Sequence, residues 1–211
     1  MFPRRQYETT KYFANEIIAM SNSIARYLHF FWAGLVKHGQ TGGIVPSQMF
    51  LIERMIAPVP KRYRGQVIEL GAGNGALTLR LAARCPEARI AACEINPTLA
   101  RDLRSNVAAA GLTSRVEVFL GAATNLLSNL LSKMARKSDF VISGIPLGNL
   151  GGAKALALVD TIHQTLGENG MYTQFQHSLL DRKNIRTRFP NLRTVPVFLN
   201  FPPAVVYYAQ K

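Results

Sequence analysis

Along the 211 residues the spacing of apolar positions changes several times, and each change marks an element. Phe13, Ile17, Met20, Ile24, Tyr27, Phe31 and Leu35 step by threes and fours, and Ile18, Leu28 and Trp32 widen the stripe. That period predicts an amphipathic helix within the N-terminal forty residues. A loop over 39–48 follows, with Ser47 as the N-cap of a short helix through Met49, Ile52, Met55 and Ile56 that Pro58 and Pro60 stop. The period then shortens. Val67, Ile68 and Leu70 predict a buried strand, and residues 88–94, 116–121, 139–143 and 171–174 predict four more. Helices fall between them. One opens with Asn96 as N-cap and Pro97 at its first position, carries Leu99, Leu103 and Val107, and ends at Gly111. Another runs through Leu127, Leu130, Leu131 and Met134, and a third spans about 153–166 before a turn at 167–170. Strands at 194–199 and 204–209 close the chain as a hairpin. The expected class is therefore α/β, with alternating strands and helices first and a β-hairpin last. Residues 1–60 form an N-terminal helical segment and covering loop, and residues 61–211 form the α/β domain.

Hydrophobic residues make up 48% of the chain, which excludes a disordered composition. The nearly apolar run 24–36 contains Arg26 and His29 and is too short and too polar to span a bilayer. Cys85 and Cys93 form no close-spaced metal or redox motif, and with no signal peptide they suit a reducing cytoplasm. The net charge is +13, distributed as +6 over residues 1–66, +2 over 67–177 and +5 over 178–211. The middle is nearly neutral and the two ends carry a positive field, which favours nucleic acid or an anionic membrane surface. The N-terminal stripe, aromatic on one face and basic at its flanks, can lie in a bilayer interface or pack on the domain core.

The chemistry centres on Glu69 to Gly75. Gly71, Gly73 and Gly75 let the backbone pass close under a ligand at the mouth of a helix. Gly71, Gly73 and Ala76 also satisfy a dinucleotide fingerprint, but Glu69, two residues ahead, would repel a pyrophosphate. It would attract a ligand carrying an ammonium and a sulfonium. Glu94, at the end of the second strand and 23 positions after Gly71, is placed to accept from two ribose hydroxyls. Together these residues resemble the class I methyltransferases, whose cofactor is S-adenosylmethionine and whose product is S-adenosylhomocysteine. The resemblance implies a Rossmann-like sheet of seven strands, parallel except for one.

Beyond the fourth strand, Ser143, Gly144, Ile145 and Pro146 occupy the place where RNA adenine dimethylases carry an Asn-x-Pro-aromatic motif that stacks a base. Ser143 replaces the Asn and Leu147 the aromatic, so nucleic acid is not the expected partner. The turn instead resembles the Ser-Gly-Leu-Pro of bacterial phospholipid N-methyltransferases. The loop from Gly42 through Gly43 to Ser47, the pair Gln174-Phe175 and the end from Asn200 to Tyr207 also resemble segments of that family. The resemblance covers roughly residues 40–211. It implies methyl transfer to the amine of a membrane phospholipid, phosphatidylethanolamine towards phosphatidylcholine, by a cytoplasmic protein held peripherally on the inner face of the membrane. It assigns Gly43, Ser47, Ile95, Ala122, Ala123 and Ser143 to the cofactor together with Glu69, Gly71, Gly73, Gly75 and Glu94.

Carbonyls of Ser143, Gly144 and Ile145 would hold the amine, and His177 would orient or deprotonate it. Pro146, Gln174 and Tyr207 would meet the substrate, and Arg186 and Arg188 would grip its phosphate. No metal is expected. Two departures stand out. Ala122 replaces an Asp that would accept from the adenine amino group, and His177 replaces a Tyr. An RNA adenine methyltransferase and a non-catalytic cofactor-binding membrane-surface protein are the alternatives.

Overall fold

The computed structural model describes residues 46–133, 137–177, 179, 182–198 and 203–211. The expected N-terminal amphipathic helix, Gly43 and the tip of the closing hairpin lie outside the described residues, as does the Ser47 side chain.

The first described element is α1, Pro46–Ile56. Ser47 is thus already inside the helix, which starts at Pro46, a residue whose missing N–H costs nothing in a first turn. The core then alternates: β1 Gln66–Leu70, α2 Ala76–Arg84, β2 Arg89–Glu94, α3 Pro97–Ala109, β3 Val116–Leu120, α4 Ala123–Lys133 and β4 Ser138–Ser143. A single 3-10 turn, Leu147–Asn149, leads to α5 Gly152–Thr165, β5 Leu166–Gln176, α6 Arg182–Arg186, β6 Asn191–Val197 and β7 Ala204–Gln210.

Capping chemistry sets α3 as the sequence suggests. The Asn96 side chain accepts from the N–H groups of Thr98 and Leu99 at 2.9 and 3.2 Å, with Pro97 at the first helical position. One boundary differs. β5 begins at Leu166 rather than at Met171, because residues 167–170 form a bulge inside the strand. Its register with β4 shifts between Ser138 and Phe140, and Asn169 takes a left-handed φ of 64° to permit it.

The sheet order is β3-β2-β1-β4-β5-β7-β6. Every neighbouring pair is parallel except those made by β7, which runs antiparallel to both β5 and β6. Side chains alternate between two cores. One core packs Val67 and Ile90 under α1, α2 and α3. The other packs Ile68, Leu70, Tyr172 and Tyr207 under α4, α5 and Phe189. A strand order that reverses between β1 and β4 opens a crevice at the carboxyl ends of these strands. Glu69, Glu94, Ser143 and Gln174 all sit at that edge.

Candidate active site

The loop after β1 is held down by its own backbone. The N–H groups of Gly71 and Ala72 both donate to the Cys93 carbonyl, at 2.8 and 2.9 Å, so the turn lies over the end of β2. Gly71 has a φ of 75°. A Cβ there would come within 3.0 Å of Ile145 Cγ1 and 3.4 Å of the Ile145 backbone nitrogen. Gly75, with a φ of 96°, opens α2, and a Cβ on it would lie 2.5 Å from Leu103 Cδ1.

Glu94 ties this loop to β2. Its Oε2 accepts from the Gly73 N–H and its Oε1 from the Asn96 N–H, both at 2.8 Å. The carboxylate is buried, and these two bonds fix its orientation while leaving a second lone pair on each oxygen. It borders a cavity of about 630 Å³ that Ile95, Leu99, Ala122, Ala123 and Pro146 make largely apolar. Ile95 is 69% exposed, so its side chain lies open beside Glu94. A ribose at Glu94 with a purine against Ile95 and Ala122 suits these walls.

Glu69 faces the other way, into a smaller cavity roofed by Gln48, Leu51, Ile52 and Met55 of α1 and walled by Phe175. Its side chain is 2% exposed, and neither its Oε2 nor the neighbouring Thr78 hydroxyl has a hydrogen-bond partner among the described residues. Burial pushes its pKa up to about 8; the Thr78 hydroxyl, close to the carboxylate but short of hydrogen-bond geometry, opposes the shift and the Glu94 charge adds to it. A buried, orphaned acid of this kind calls for a cation. The ammonium of a methionyl group meets that need, so the residues present fit S-adenosylmethionine. The two cavities share Gly71 and Gly144 in their walls.

On the acceptor side the turn after β4 is pinned at several points. The Gly144 N–H donates to the Leu70 carbonyl at 2.8 Å, and the buried Ser143 hydroxyl accepts from the Ile145 N–H at 3.2 Å. The Ile145 carbonyl accepts from Gln174 Nε2 at 2.9 Å, and Gln174 Oε1 accepts from the Tyr172 hydroxyl at 2.7 Å. Gln174 is expected at the substrate. Its amide is instead engaged in holding the turn, and the side chain is fully buried.

Tyr207 is likewise corrected. It pairs with Gln174 across the sheet and is buried with Tyr172 and Phe189 in the core under α5, not in a cavity wall. Arg188 forms an ion pair with Asp160 of α5, its Nη2 lying 3.2 Å from Asp160 Oδ2, and Arg186 is exposed on α6. Neither borders either cavity. His177 stands just past β5, with Nδ1 3.0 Å from the Pro203 carbonyl and its ring edge-on to Phe175 at 5.7 Å. It too lies outside both cavity walls. Several wall residues carry no sequence signal, among them Gln48, Leu150 and Lys154. Gln48 follows Ser47 directly, while Leu150 and Lys154 lie where the 3-10 turn meets α5. A lysine in a first helical turn after a loop carries no signal of its own.

Known proteins resemble this chain. Residues 67–170 match the family described as a methyltransferase domain. An ornithine lipid N-methyltransferase from Singulisphaera acidiphila is 28% identical over 82% of this chain and 91% of its own length. A Bacillus cereus O-methyltransferase solved with S-adenosylhomocysteine superposes with a TM-score of 0.63 over 85% of this chain and 90% of that one, at 16% identity. The protein is a class I S-adenosylmethionine-dependent methyltransferase. A contrast completes the picture. A Salmonella choleraesuis ribosomal RNA small subunit methyltransferase C is 29% identical, but over only 44% of this methyltransferase and 24% of its own length.

Proposed function

We propose that this methyltransferase acts on the primary amine of a membrane aminolipid, with phosphatidylethanolamine, on the way to phosphatidylcholine, as its first substrate. The observation that carries the reading is the reach of the lipid N-methyltransferase likeness. It covers 82% of the chain, beyond the 104-residue stretch that matches the methyltransferase domain, whereas the RNA enzyme's likeness stops at 44%. Leu147 supports it: the side chain is fully buried in the core and offers no platform for a base.

The cofactor supplies a methyl group on a sulfonium, an electrophile that needs no metal or base to activate it. The chain's residues then have to place an amine lone pair in line with the carbon–sulfur bond and exclude water. The Ser143-Gly144-Ile145 turn is the nearest rigid backbone, fixed by Leu70, Gln174 and the Ser143 hydroxyl. As the nitrogen–carbon bond forms and the carbon–sulfur bond breaks, the amine sheds one proton for each methyl gained. His177, at the same edge of β5, is the group to which we assign that proton.

An anionic membrane surface is the partner in this reading. Residues 182–211 carry six Lys or Arg and no Asp or Glu. Large apolar side chains lie exposed at the same edge as the cavities: Leu120 ends β3, Leu179 follows β5 and Phe198 follows β6, at 51, 53 and 78% exposure. Apolar side chains beside a basic surface suit a lipid interface.

The test offers labelled S-adenosylmethionine to the protein with phosphatidylethanolamine liposomes, ornithine lipid liposomes and total RNA in parallel. Label in methylated phosphatidylethanolamine is expected. Label in ornithine lipid alone would move the substrate to the amino-acid lipids, and label in RNA alone would overturn the reading.

A further inference from the structure

The aminolipid reading needs a group that recognises the headgroup: Gln174 and Tyr207 are committed to the core, and Lys154 borders the larger cavity from α5. One residue is left over. Gln176, the last residue of β5, is only 6% exposed, yet its Nε2 has no hydrogen-bond partner among the described residues. A buried amide left unmade is costly and therefore uncommon away from sites where something else completes it.

Its place in the fold says what that is. Alternation along β5 puts Gln176 on the same face as Gln174, about 7 Å further along the strand. Gln174 lies opposite Ser143, the last residue of β4, and its Nε2 grips the Ile145 carbonyl. Beyond that level β4 has ended, and β5 keeps a partner only on its other side, where Gln176 pairs with Val205. Gln176 therefore stands past the level at which β4 ends, on the side of the Ser143-Gly144-Ile145-Pro146 turn, although like His177 it lies in neither cavity wall. The amine must come to that turn in order to meet the methyl group.

We propose that Gln176 reads the acceptor: its amide N–H groups donate to an anionic oxygen of the lipid headgroup, a phosphate oxygen or a carboxylate, and so hold the amine over the turn. This inference rests on the aminolipid reading. Gln176 is a substrate-binding residue in it, and proton transfer does not pass through it. The amide is neutral, so it can bind a zwitterionic headgroup without competing for its ammonium. A lysine there would repel the amine.

The experiment compares the full-length protein with Gln176→Met and Gln176→Glu on phosphatidylethanolamine and ornithine lipid liposomes, with S-adenosylhomocysteine affinity and melting temperature measured alongside. Met keeps the volume and removes the amide. We expect KM for the lipid to rise about tenfold to a hundredfold, the effect of losing one hydrogen bond to a charged group. Product-cofactor affinity should be unchanged, and the melting temperature equal or higher, because an unsatisfied buried amide has gone. Glu, which repels the anionic oxygen, should cost more still. The lipid on which KM rises tells whether phosphate or carboxylate is read.

An unchanged KM for Gln176→Met on every lipid the wild type accepts would overturn the assignment while leaving the aminolipid reading standing. So would a lowered melting temperature with matching loss of cofactor affinity, which is the signature of a structural residue. Failure of the wild type itself to methylate any aminolipid would overturn both.

Discussion

The two halves of the crevice are built on different economies. On the β1–β2 side, binding groups are kept in place by backbone: Glu94 by two N–H donors, and Gly71 and Ala72 by the Cys93 carbonyl. On the β4–β7 side, polar side chains do the holding. Gln174 and Ser143 bond the turn itself, and Tyr172 bonds Gln174. A cofactor shared by a whole class is met by a frame that side-chain changes elsewhere barely disturb. An acceptor that differs from enzyme to enzyme is met by side chains, which substitution can retune one at a time.

Glu94→Ala should break the backbone-held half most severely. It removes the candidate ribose acceptors and leaves the N–H groups of Gly73 and Asn96 without a partner. The expected loss in S-adenosylhomocysteine affinity is about 3 kcal/mol or more, over a hundredfold by calorimetry. Wild-type affinity would remove Glu94 from the site.

Glu69→Gln should cost roughly tenfold in S-adenosylmethionine affinity near pH 8 and, more tellingly, flatten its pH dependence. With its pKa at about 8, Glu69 is protonated in the free protein at pH 6, and a cationic ligand must expel that proton. Wild-type affinity should therefore rise with pH and level off above about pH 8. The free protein should behave in the opposite sense. Its folded state keeps a proton that the unfolded chain gives up near the ordinary carboxyl value of 4.5, so stability contributed by Glu69 is full below that pH and lost as pH climbs through about 8. A melting temperature that falls less steeply between pH 5 and 8 in Glu69→Gln would bear this out.

Gln174→Met sharpens the other half. The Ile145 carbonyl loses its restraint, so kcat should fall about tenfold, the equivalent of one well-made hydrogen bond, with cofactor affinity little changed. An equal loss in cofactor affinity would mean that the turn serves both ligands. Arg188→Ala should do least. Its partner is Asp160 on the flank of α5, so KM for lipid should stay put and stability barely move; a large rise in KM would bring the lost phosphate grip back.

What was legible in the sequence follows the same division. Glu69, the three glycines, Glu94, Asn96 and Pro97 lie within thirty positions, and each acts through short-range geometry that spacing reveals. The strand-and-helix alternation and the closing hairpin were equally readable, since period distinguishes them. The bulge at 167–170 was not, because Gly-Glu-Asn-Gly reads as a turn wherever it stands, and only pairing with β4 makes it part of β5. Tyr207 and Gln174 were misplaced for a related reason. Whether a polar side chain at the end of a buried strand meets a ligand or a neighbour depends on residues such as Tyr172 and Ile145, which motif spacing does not rank. Gln176 gave no signal at all: its importance is an unmet bond, and only packing exposes that.

The two glycines common to both cavity walls define a bottleneck. A ligand with its charged arm at Glu69 and its nucleoside at Glu94, as proposed here, would pass Gly71 and Gly144, with the sulfur as the link between arm and nucleoside. In the proposed reading the methyl would be presented there, beside the turn proposed to receive the amine. At those two positions it is size, and not charge, that the chemistry constrains.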